Sequence, residues 1–183
     1  PHFHNPRNNN QVGGLNYHRL LHQDSHQQLG PGLAVEWGPI ADDVWEFQLR
    51  EGVTFHDGSA FTAEDVVFSY EILRDEGLPS FRASIGLTIA GAEALDDGRV
   101  RFDFNPDAPL RGRIDSAGGL PVFSRASHEA SGLGFDESRL EPLMGSGPYI
   151  VDRIDVGERT IFRRNPDYWG NDLPINQGRH NYG

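Results

Sequence analysis

The chain has 183 residues, of which 37% are hydrophobic, and 16 Lys and Arg against 27 Asp and Glu give a formal net charge of −11. This size allows one core, and the scattered acidic charge argues against nucleic acid or an anionic membrane as partners. The absence of cysteine excludes disulfides, thiolate metal sites and cysteine nucleophiles. Since no apolar run approaches the ~20 residues of a membrane span, we expect no direct membrane insertion.

The N-terminal part of the chain is polar and contains a histidine repeat. Residues 1–14 are rich in Asn, Gly and Pro and predict an irregular segment, whereas residues 15–28 predict a helix. On such a helix His18, His22 and His26 would share one face and could bind a divalent metal such as nickel or zinc. A solvated polar face is the other interpretation of this spacing.

The next segments predict a strand, a turn and a helix. Val44–Arg50 alternates apolar and polar residues, which is typical of a half-buried strand. Val53–Phe55 predicts a second, short strand, and Gly58 suits a turn with positive φ. Thr62 is a suitable N-cap for a helix whose apolar residues continue to Leu73.

Beyond this helix the pattern alternates between irregular segments and strands. Residues 77–86 are rich in turn formers, with at most a helical turn near Phe81, and residues 89–95 and 99–104 predict a hairpin. Residues 105–119 predict a surface loop anchored by Leu110 and Ile114.

The last third of the chain begins with short elements. Residues 120–123 predict a short strand, and Ser124 is a plausible cap for a brief helix through Ala130. Residues 150–155 and 159–163 predict two strands joined by a turn.

Two glycines precede this last strand pair, in the sequence G-S-G-P-Y at 145–149, and N-P-D-Y-W-G follows it at 165–170. The glycines permit close backbone approach, and Pro148 fixes φ just before the strand. A phosphate-binding turn is disfavoured, because no Lys-Ser/Thr pair and no helix follow the glycines.

Three motifs of this sequence resemble a known family. F-H-D-G-S-A-F-T-A-E-D-V-V-F-S at 55–69, together with the G-S-G-P-Y and N-P-D-Y-W-G runs, is similar to the family 5 extracellular solute-binding proteins. These are receptors of ABC importers for oligopeptides, dipeptides and nickel. The tail from Asp172 to Asn181 resembles the YejA-type oligopeptide and microcin C branch more particularly.

The resemblance implies a mixed α/β fold of the periplasmic-binding-protein-like type II, present here in part. It implies residues 31–144 as a smaller lobe and residues 145–183 as the start of the return to the main lobe. Because family members are much longer, we expect this chain to be a fragment. Since its N-terminus also lacks signal-peptide features, we expect an export signal to have been removed.

The implied function is the periplasmic capture of oligopeptides or peptide-like solutes, which are then delivered to the permease subunits of an ABC transporter. The implied ligand contacts are Phe81, Arg82 and Ser84 in one loop, and Ser146 with Gly147 near the lobe crossing. No cofactor and no catalysis are expected. Trp45 and Trp169 are interpreted as core residues.

Other functions stay open at this point. A metal-binding module based on the three histidines is one alternative, and a truncated fragment that binds nothing is another. A hydrolase is a further class, since His56 with Asp57, or Glu64 with Asp65, could supply acid and base. Adjacent residues seldom converge on one substrate atom, however, and the chain has no G-x-S-x-G nucleophile elbow.

Overall fold

The computed structural model describes residues 16–23, 28–132, 134, 144–155, 158–173 and 176. Within them the strands are β1 Leu21–Gln23, β2 Leu29–Pro31, β3 Ala34–Ala41, β4 Val44–Leu49, β5 Ile89–Ala94, β6 Arg99–Phe104, β7 Tyr149–Asp155 and β8 Arg159–Arg164. The helices are α1 Ala63–Asp75, α2 Pro79–Thr88, α3 Leu110–Gly118 and α4 Arg125–Ser131. The predicted mixed α/β class is therefore confirmed.

A four-stranded antiparallel sheet forms the centre of the chain, in the order β3-β4-β6-β5. The predicted alternation of β4 is confirmed, because Trp45, Phe47 and Leu49 are buried while the residues between them are half-buried. Phe47 meets Phe102 of β6 edge to face at 5.5 Å. One face of the sheet thus carries the core, and the helices cover it.

The opposite face of the sheet is charged. Glu46 of β4 forms ion pairs with Arg99 and Arg101 of β6, and Arg101 also reaches Glu93 of β5. Cross-strand pairs of opposite charge suit a face exposed to water, although each contributes little stability on its own.

Helix α1 begins as predicted after Thr62 and packs against the sheet. The Oδ2 atom of Asp65 accepts hydrogen bonds from the backbone N and the Oγ1 of Thr62, at 2.9 and 3.1 Å. The apolar face is also confirmed: Val66, Tyr70, Ile72 and Leu73 are buried, whereas Val67 and Phe68 are half-buried. The cap and the apolar face together fix where the helix starts and which side faces the core.

The polar residues of α1 also join it to the segment that leads into α4. Buried Ser69 donates to the carbonyl of Asp65 at 2.6 Å and accepts from the backbone N of Phe123 at 2.9 Å. Asp65 accepts from the backbone N of Arg125 at 2.9 Å through its Oδ1. Asp65 and Ser69 of the motif at 55–69 therefore have a structural role, since they connect α1 to the segment that leads into α4.

We expect Ser69→Ala to lower the free energy of unfolding by about 1–3 kcal/mol, because it leaves the buried N–H of Phe123 without its acceptor. Urea unfolding measures the change. Ser80→Ala, at an exposed position of α2, is the matched control and should change it by less than about 0.5 kcal/mol. Equal losses in the two variants would contradict the assigned role of Ser69.

The predicted helix over residues 15–28 is wrong. Leu21–Gln23 is a strand that pairs antiparallel with Leu29–Pro31, and the carbonyls of Arg19 and Leu20 accept hydrogen bonds from residues 32–34. The physical reason is pairing: the polar run after Leu21 offers no apolar helical stripe, so the backbone satisfies its hydrogen bonds across strands instead. His26 lies outside the described residues, as do residues 1–14.

The predicted loop over residues 105–119 is also wrong, because Leu110–Gly118 is helix α3. Of the two predicted anchors, Ile114 packs against the core, whereas Leu110 is 60% exposed; the unexpected anchor is buried Arg113. Its guanidinium donates to the carbonyls of Asp42, Asn105, Pro106 and Ala108. A helix is predicted from sequence by the periodic spacing of its apolar residues. Because α3 is held by a charged side chain that donates hydrogen bonds to carbonyls, its sequence lacks that spacing and favours a loop.

Six smaller predictions remain, of which three need correction and three are confirmed. Residues 79–88 form a full helix with Pro79 at its start, rather than an irregular segment. Residues 53–55 and 120–123 contribute only isolated bridges, Thr54 with Ala60 and Pro121 with Arg19. The hairpin of β5 and β6, the Ser124 cap of α4 and the β7–β8 pair are confirmed.

Candidate functional site

The predicted ligand contacts lie in two places. Phe81 and Ser84 line a groove between α2 and α3, while the Arg82 guanidinium donates to the Arg74 carbonyl at 3.3 Å. Ser146 and Gly147 are buried at the point where the chain leaves the sheet body for β7. The structure therefore separates the predicted set into a groove and a crossing.

The groove has a volume of about 350 Å³. Its floor is apolar, with buried side chains of Leu73, Ile85 and Leu120. Phe81 of α2 lines the groove with half of its surface, 49%, exposed to solvent. A volume above ~300 Å³ with an apolar floor is typical of sites for small ligands.

The crossing is the segment 145–147, and it is fixed by backbone contacts. Gly147 donates its N–H to the Asn16 carbonyl at 3.0 Å, and His56 donates its backbone N–H to the Gly145 carbonyl at 3.0 Å. A Cβ on Gly145 would lie only 2.0 Å from the Asn16 carbonyl oxygen. The close backbone approach predicted for the G-S-G-P-Y motif is therefore confirmed at Gly145.

The N-P-D-Y-W-G motif at 165–170 packs against this crossing. Trp169 donates from Nε1 to the Ser146 carbonyl at 3.1 Å, and the Arg50 guanidinium lies 5.5 Å from the centre of the Trp169 ring. Tyr168 and Nε2 of His18 are joined by a hydrogen bond of 2.7 Å. Trp169 is half-buried and packs against the core, as Trp45 does from within it. These contacts connect the G-S-G-P-Y and N-P-D-Y-W-G motifs with His18, which precedes β1, and with Arg50, which follows β4.

Ser146 is fully buried, and its Oγ has no hydrogen-bond partner in the described part of the chain. Its predicted contact with ligand stays a prediction. What Ser146 and Gly147 visibly do is hold the crossing through their backbone atoms.

His56 connects the sheet body to the crossing through its side chain. Its Nε2 lies 3.0 Å from the Gly147 carbonyl oxygen, which requires that this nitrogen carry the proton. Burial lowers the pKa of His56 below its ordinary 6.5, and the charge of Arg163 adds to this, while the bond to Gly147 and the charge of Asp57 act against it. The imidazole is neutral at neutral pH.

We expect the free energy of unfolding to decrease as the pH falls below 6.5, the ordinary pKa of His56. In that range the unfolded chain binds a proton more readily than the folded chain does, and the loss ends below the lowered pKa. His56→Gln keeps an N–H donor without a titratable group and should remove this part of the pH dependence. Urea unfolding between about pH 5 and pH 8 measures it, and identical profiles for both proteins would contradict the assignment.

The helical spacing that suggested a metal site is absent. His18 precedes β1 and bonds to Tyr168, while His22 lies within β1, so the two do not share a helical face. Among the residues the structure describes, no three His, Cys, Asp or Glu side chains come together in a way that could hold a metal ion.

Three of the four residues considered for acid–base chemistry have structural partners, His56, Asp57 and Asp65, whereas Glu64 is exposed on α1. Asp57 accepts from the backbone N and Oγ of Ser59 at 2.9 and 2.6 Å, which lowers the pKa of its carboxyl despite partial burial. Gly58 adopts φ +82°, as the turn prediction required. Asp65 forms the cap of α1, and His56 binds the crossing.

The α3 side of the groove was missed by the sequence interpretation. Gly112, Asp115 and Ser116 line it, and all three fall in the segment predicted as a loop. A possible signal was the Arg111–Asp115 spacing, since oppositely charged residues at i and i+4 favour a helix.

Comparisons with known proteins were consistent with one another. The profile described as bacterial extracellular solute-binding proteins, family 5 Middle, matches residues 28–180. Among curated relatives, the peptidoglycan-binding protein YepA of Agrobacterium fabrum is 32% identical over 176 residues, covering 94% of this chain and 28% of its own. The probable peptide-binding protein YejA of the same organism is 31% identical over 158 residues, covering 82% and 25%.

A solved structure agrees with these sequence matches. The periplasmic oligopeptide-binding protein of an ABC transporter from Thermotoga maritima superimposes with a TM-score of 0.70 at 25% identity, covering 86% of this chain and 29% of its own. The chain thus spans about 28% of the length of the first curated relatives that it matches. In the described residues no helix is long and apolar enough to cross a membrane.

Proposed function

Because this chain belongs to family 5 of the bacterial extracellular solute-binding proteins, we propose that it forms one wall of the ligand cleft in a peptide receptor. Membership confirms the family predicted from the sequence, and the fold class, a partial type II periplasmic-binding-protein-like fold, is confirmed as well. The complete protein would capture oligopeptides or peptide-like solutes in the periplasm and deliver them to the permease of an ABC importer.

The observation that carries this proposal is the groove between α2 and α3. It is concave, has an apolar floor and includes Phe81 and Ser84, two of the residues predicted to contact ligand. An exposed aromatic ring beside an apolar floor suits the side chain of a peptide, whose backbone is commonly held by hydrogen bonds. The names of YepA and YejA support a peptide-containing ligand.

The crossing has a different role in this proposal. Ser146 and Gly147 would hold the body of residues 31–144 at a fixed angle to residues 145–183, the two lobe segments predicted from the sequence. Arg50, Trp169 and His56 reinforce that angle through the contacts described above. The wall that bears Phe81 would therefore be presented to the cleft as a rigid surface, and trapping would come from closure of the other lobe.

Binding without catalysis is part of the proposal. Three of the four residues that could supply acid–base chemistry, Asp57, Asp65 and His56, already serve the turn, the cap and the crossing. The rival metal-binding function lost its support with the predicted N-terminal helix. A fragment with no binding function is less well supported, because the groove is already formed within this chain.

The test is a screen of the complete protein against a mixed tripeptide library, with retained peptides identified by mass spectrometry. We expect peptides to be retained, and Phe81→Ala to weaken their binding about tenfold, which corresponds to roughly 1.4 kcal/mol. Leu87→Ala is the matched control, since Leu87 lies on the same helix, is 75% exposed and does not line the groove. Retention of no peptide, or equal losses in both variants, would refute the proposal.

A further inference from the structure

Each of the three carbonyls of the crossing accepts a hydrogen bond. Gly145 and Gly147 both accept from His56, the first from its backbone N–H and the second from Nε2 of its ring, each at 3.0 Å. Ser146 accepts from Nε1 of Trp169 at 3.1 Å. His56 thus supplies two of the three bonds, and the one from its ring depends on a group that titrates near neutral pH.

The strands that follow the crossing depend on it for their position. β7 and β8 form a two-stranded ribbon that pairs with no other strand in the described part of the chain. Such a ribbon is marginally stable by itself, so its attachments matter. One of them is a hydrogen bond of 2.8 Å from the backbone N of Asn165, just after β8, to the carbonyl of Pro148, just after the crossing. A change at the crossing is therefore passed on to the ribbon.

The half-buried imidazole of His56 lies in surroundings that favour its neutral form. Burial has the largest effect and lowers its pKa, the bond to Gly147 raises it, the charge of Arg163 lowers it and that of Asp57 raises it, with a net result below 6.5. Arg163 belongs to β8, so this second cation acts from the ribbon, and the crossing itself carries no charged side chain. The Asp57 carboxylate already accepts two hydrogen bonds from Ser59. A proton on the ring would add a second positive charge near Arg163.

The crossing also holds a polar atom at a cost. Ser146 is fully buried, and its Oγ finds no hydrogen-bond partner among the residues that the structure describes. A buried hydroxyl of this kind is destabilising, and water would satisfy it once the crossing opened. The held arrangement is therefore opposed from within, so the loss of one bond can shift the balance towards a released arrangement.

We propose that His56 makes the crossing a pH-sensitive joint, in which the neutral ring holds the Gly147 carbonyl and the protonated ring turns to solvent and releases it. A released ring titrates near the ordinary pKa of 6.5, so the released arrangement binds a proton more readily and is favoured as the pH falls below that value. The backbone bonds from His56 to Gly145 and from Gly147 to Asn16 remain, so the crossing loosens without unfolding of the sheet body.

This joint has a consequence for the complete receptor, and that consequence rests on the proposed function. If residues 31–144 and 145–183 belong to two lobes, a loosened crossing has more conformational freedom to lose when the lobes close on a ligand. Affinity for peptide should then be lower in acid than at neutral pH.

The test is hydrogen–deuterium exchange of the complete protein, measured by mass spectrometry between about pH 8 and pH 5 and corrected for the intrinsic exchange rate at each pH. Protection of residues 145–165 should fall at least about threefold over this range, while that of α1 should not change. His56→Gln keeps an N–H donor that cannot titrate, and it should stay protected throughout. His56→Phe removes the donor and should be poorly protected even at the highest pH.

Matched controls separate the joint from other effects of acid. His128→Gln removes a histidine of α4, whose ring lies 5.2 Å from that of Phe68, and it should keep the wild-type profile. Arg163→Gln removes the cation that acts on His56, so it should reduce the fall in protection without abolishing it, because burial remains. Arg159→Gln makes the same change at the other end of β8 and should leave the fall unchanged.

Two results would overturn the proposal. A fall of the wild-type size in His56→Gln would mean that another group titrates, and full protection of His56→Phe at the highest pH would mean that the ring does not hold the crossing. Because the exchange of backbone amides needs no ligand, either result leaves the proposed function standing. Failure of the complete protein to retain peptides would refute the proposed function and leave the joint intact.

Discussion

Replacement of Gly145 by alanine is expected to lower the free energy of unfolding by about 3 kcal/mol, the upper part of the usual range for overpacked sites. The added Cβ would lie 2.0 Å from the carbonyl oxygen and 2.9 Å from the carbonyl carbon of Asn16, and 3.0 Å from the Tyr17 ring. Two of these atoms belong to the backbone, so no rotamer change relieves the overlap. The crossing itself must shift.

Such a shift would break specific hydrogen bonds. The Gly145 carbonyl accepts from His56, and the neighbouring Gly147 N–H donates to Asn16. Urea unfolding followed by circular dichroism measures the loss. Gly38→Ala is the matched control, because no atom lies within 4 Å of a Cβ built there, and it should be neutral or slightly stabilising. Similar stability of the two variants would show that the segment at Asn16 can move away, contrary to a rigid crossing.

Arg113→Met is expected to cost about 3 kcal/mol of unfolding free energy. The side chain is 9% exposed and donates to four carbonyls, and its Nη1 also lies 2.7 Å from Asp43 Oδ1. Methionine retains much of the apolar stem but no donor. The carbonyls of the segment 105–108 would then lose the partner that links them to α3 and to the β3–β4 turn.

The control for this prediction is Arg111→Met on the same helix. Arg111 is 59% exposed and forms a surface i,i+4 ion pair with Asp115, so its loss should change stability by less than about 1 kcal/mol. Thermal and urea unfolding of both variants measure the difference. Comparable small effects would mean that water replaces the guanidinium at those carbonyls and that α3 does not depend on Arg113.

These two positions matter for the proposed receptor in different ways. Gly145 packs closely on Asn16 and binds His56 at the crossing, whereas Arg113 ties α3, one wall of the groove, to the segment 105–108 and the β3–β4 turn. Arg113→Met should therefore also weaken peptide binding in the complete protein, because the groove loses the fixed position of one wall. A stable variant with unchanged binding would separate α3 from recognition.

Elements governed by local patterns were predictable from the sequence. The alternation at Trp45, Phe47 and Leu49 gives β4 its buried face because successive strand residues point to opposite sides. Thr62 and Asp65 mark the start of α1 because a helix needs acceptors for its first N–H groups. The family motifs could be recognised for a similar reason. Residues such as Gly145, Asp65 and Ser69 each meet a local requirement, for space or for hydrogen bonds, that few residue types can meet.

Elements that depend on distant partners were not predictable in this way. Residues 21–23 form a strand because residues 29–31 pair with them, and residues 110–118 form a helix around an arginine whose partners include the Asp42 carbonyl far along the chain. Phe81 and Ser84 could be proposed as ligand contacts from the sequence, whereas the groove that they line together with Gly112 and Asp115 could not be foreseen. Only tertiary packing brings α3 opposite α2, because a groove exists between elements and no local pattern encodes the space between them.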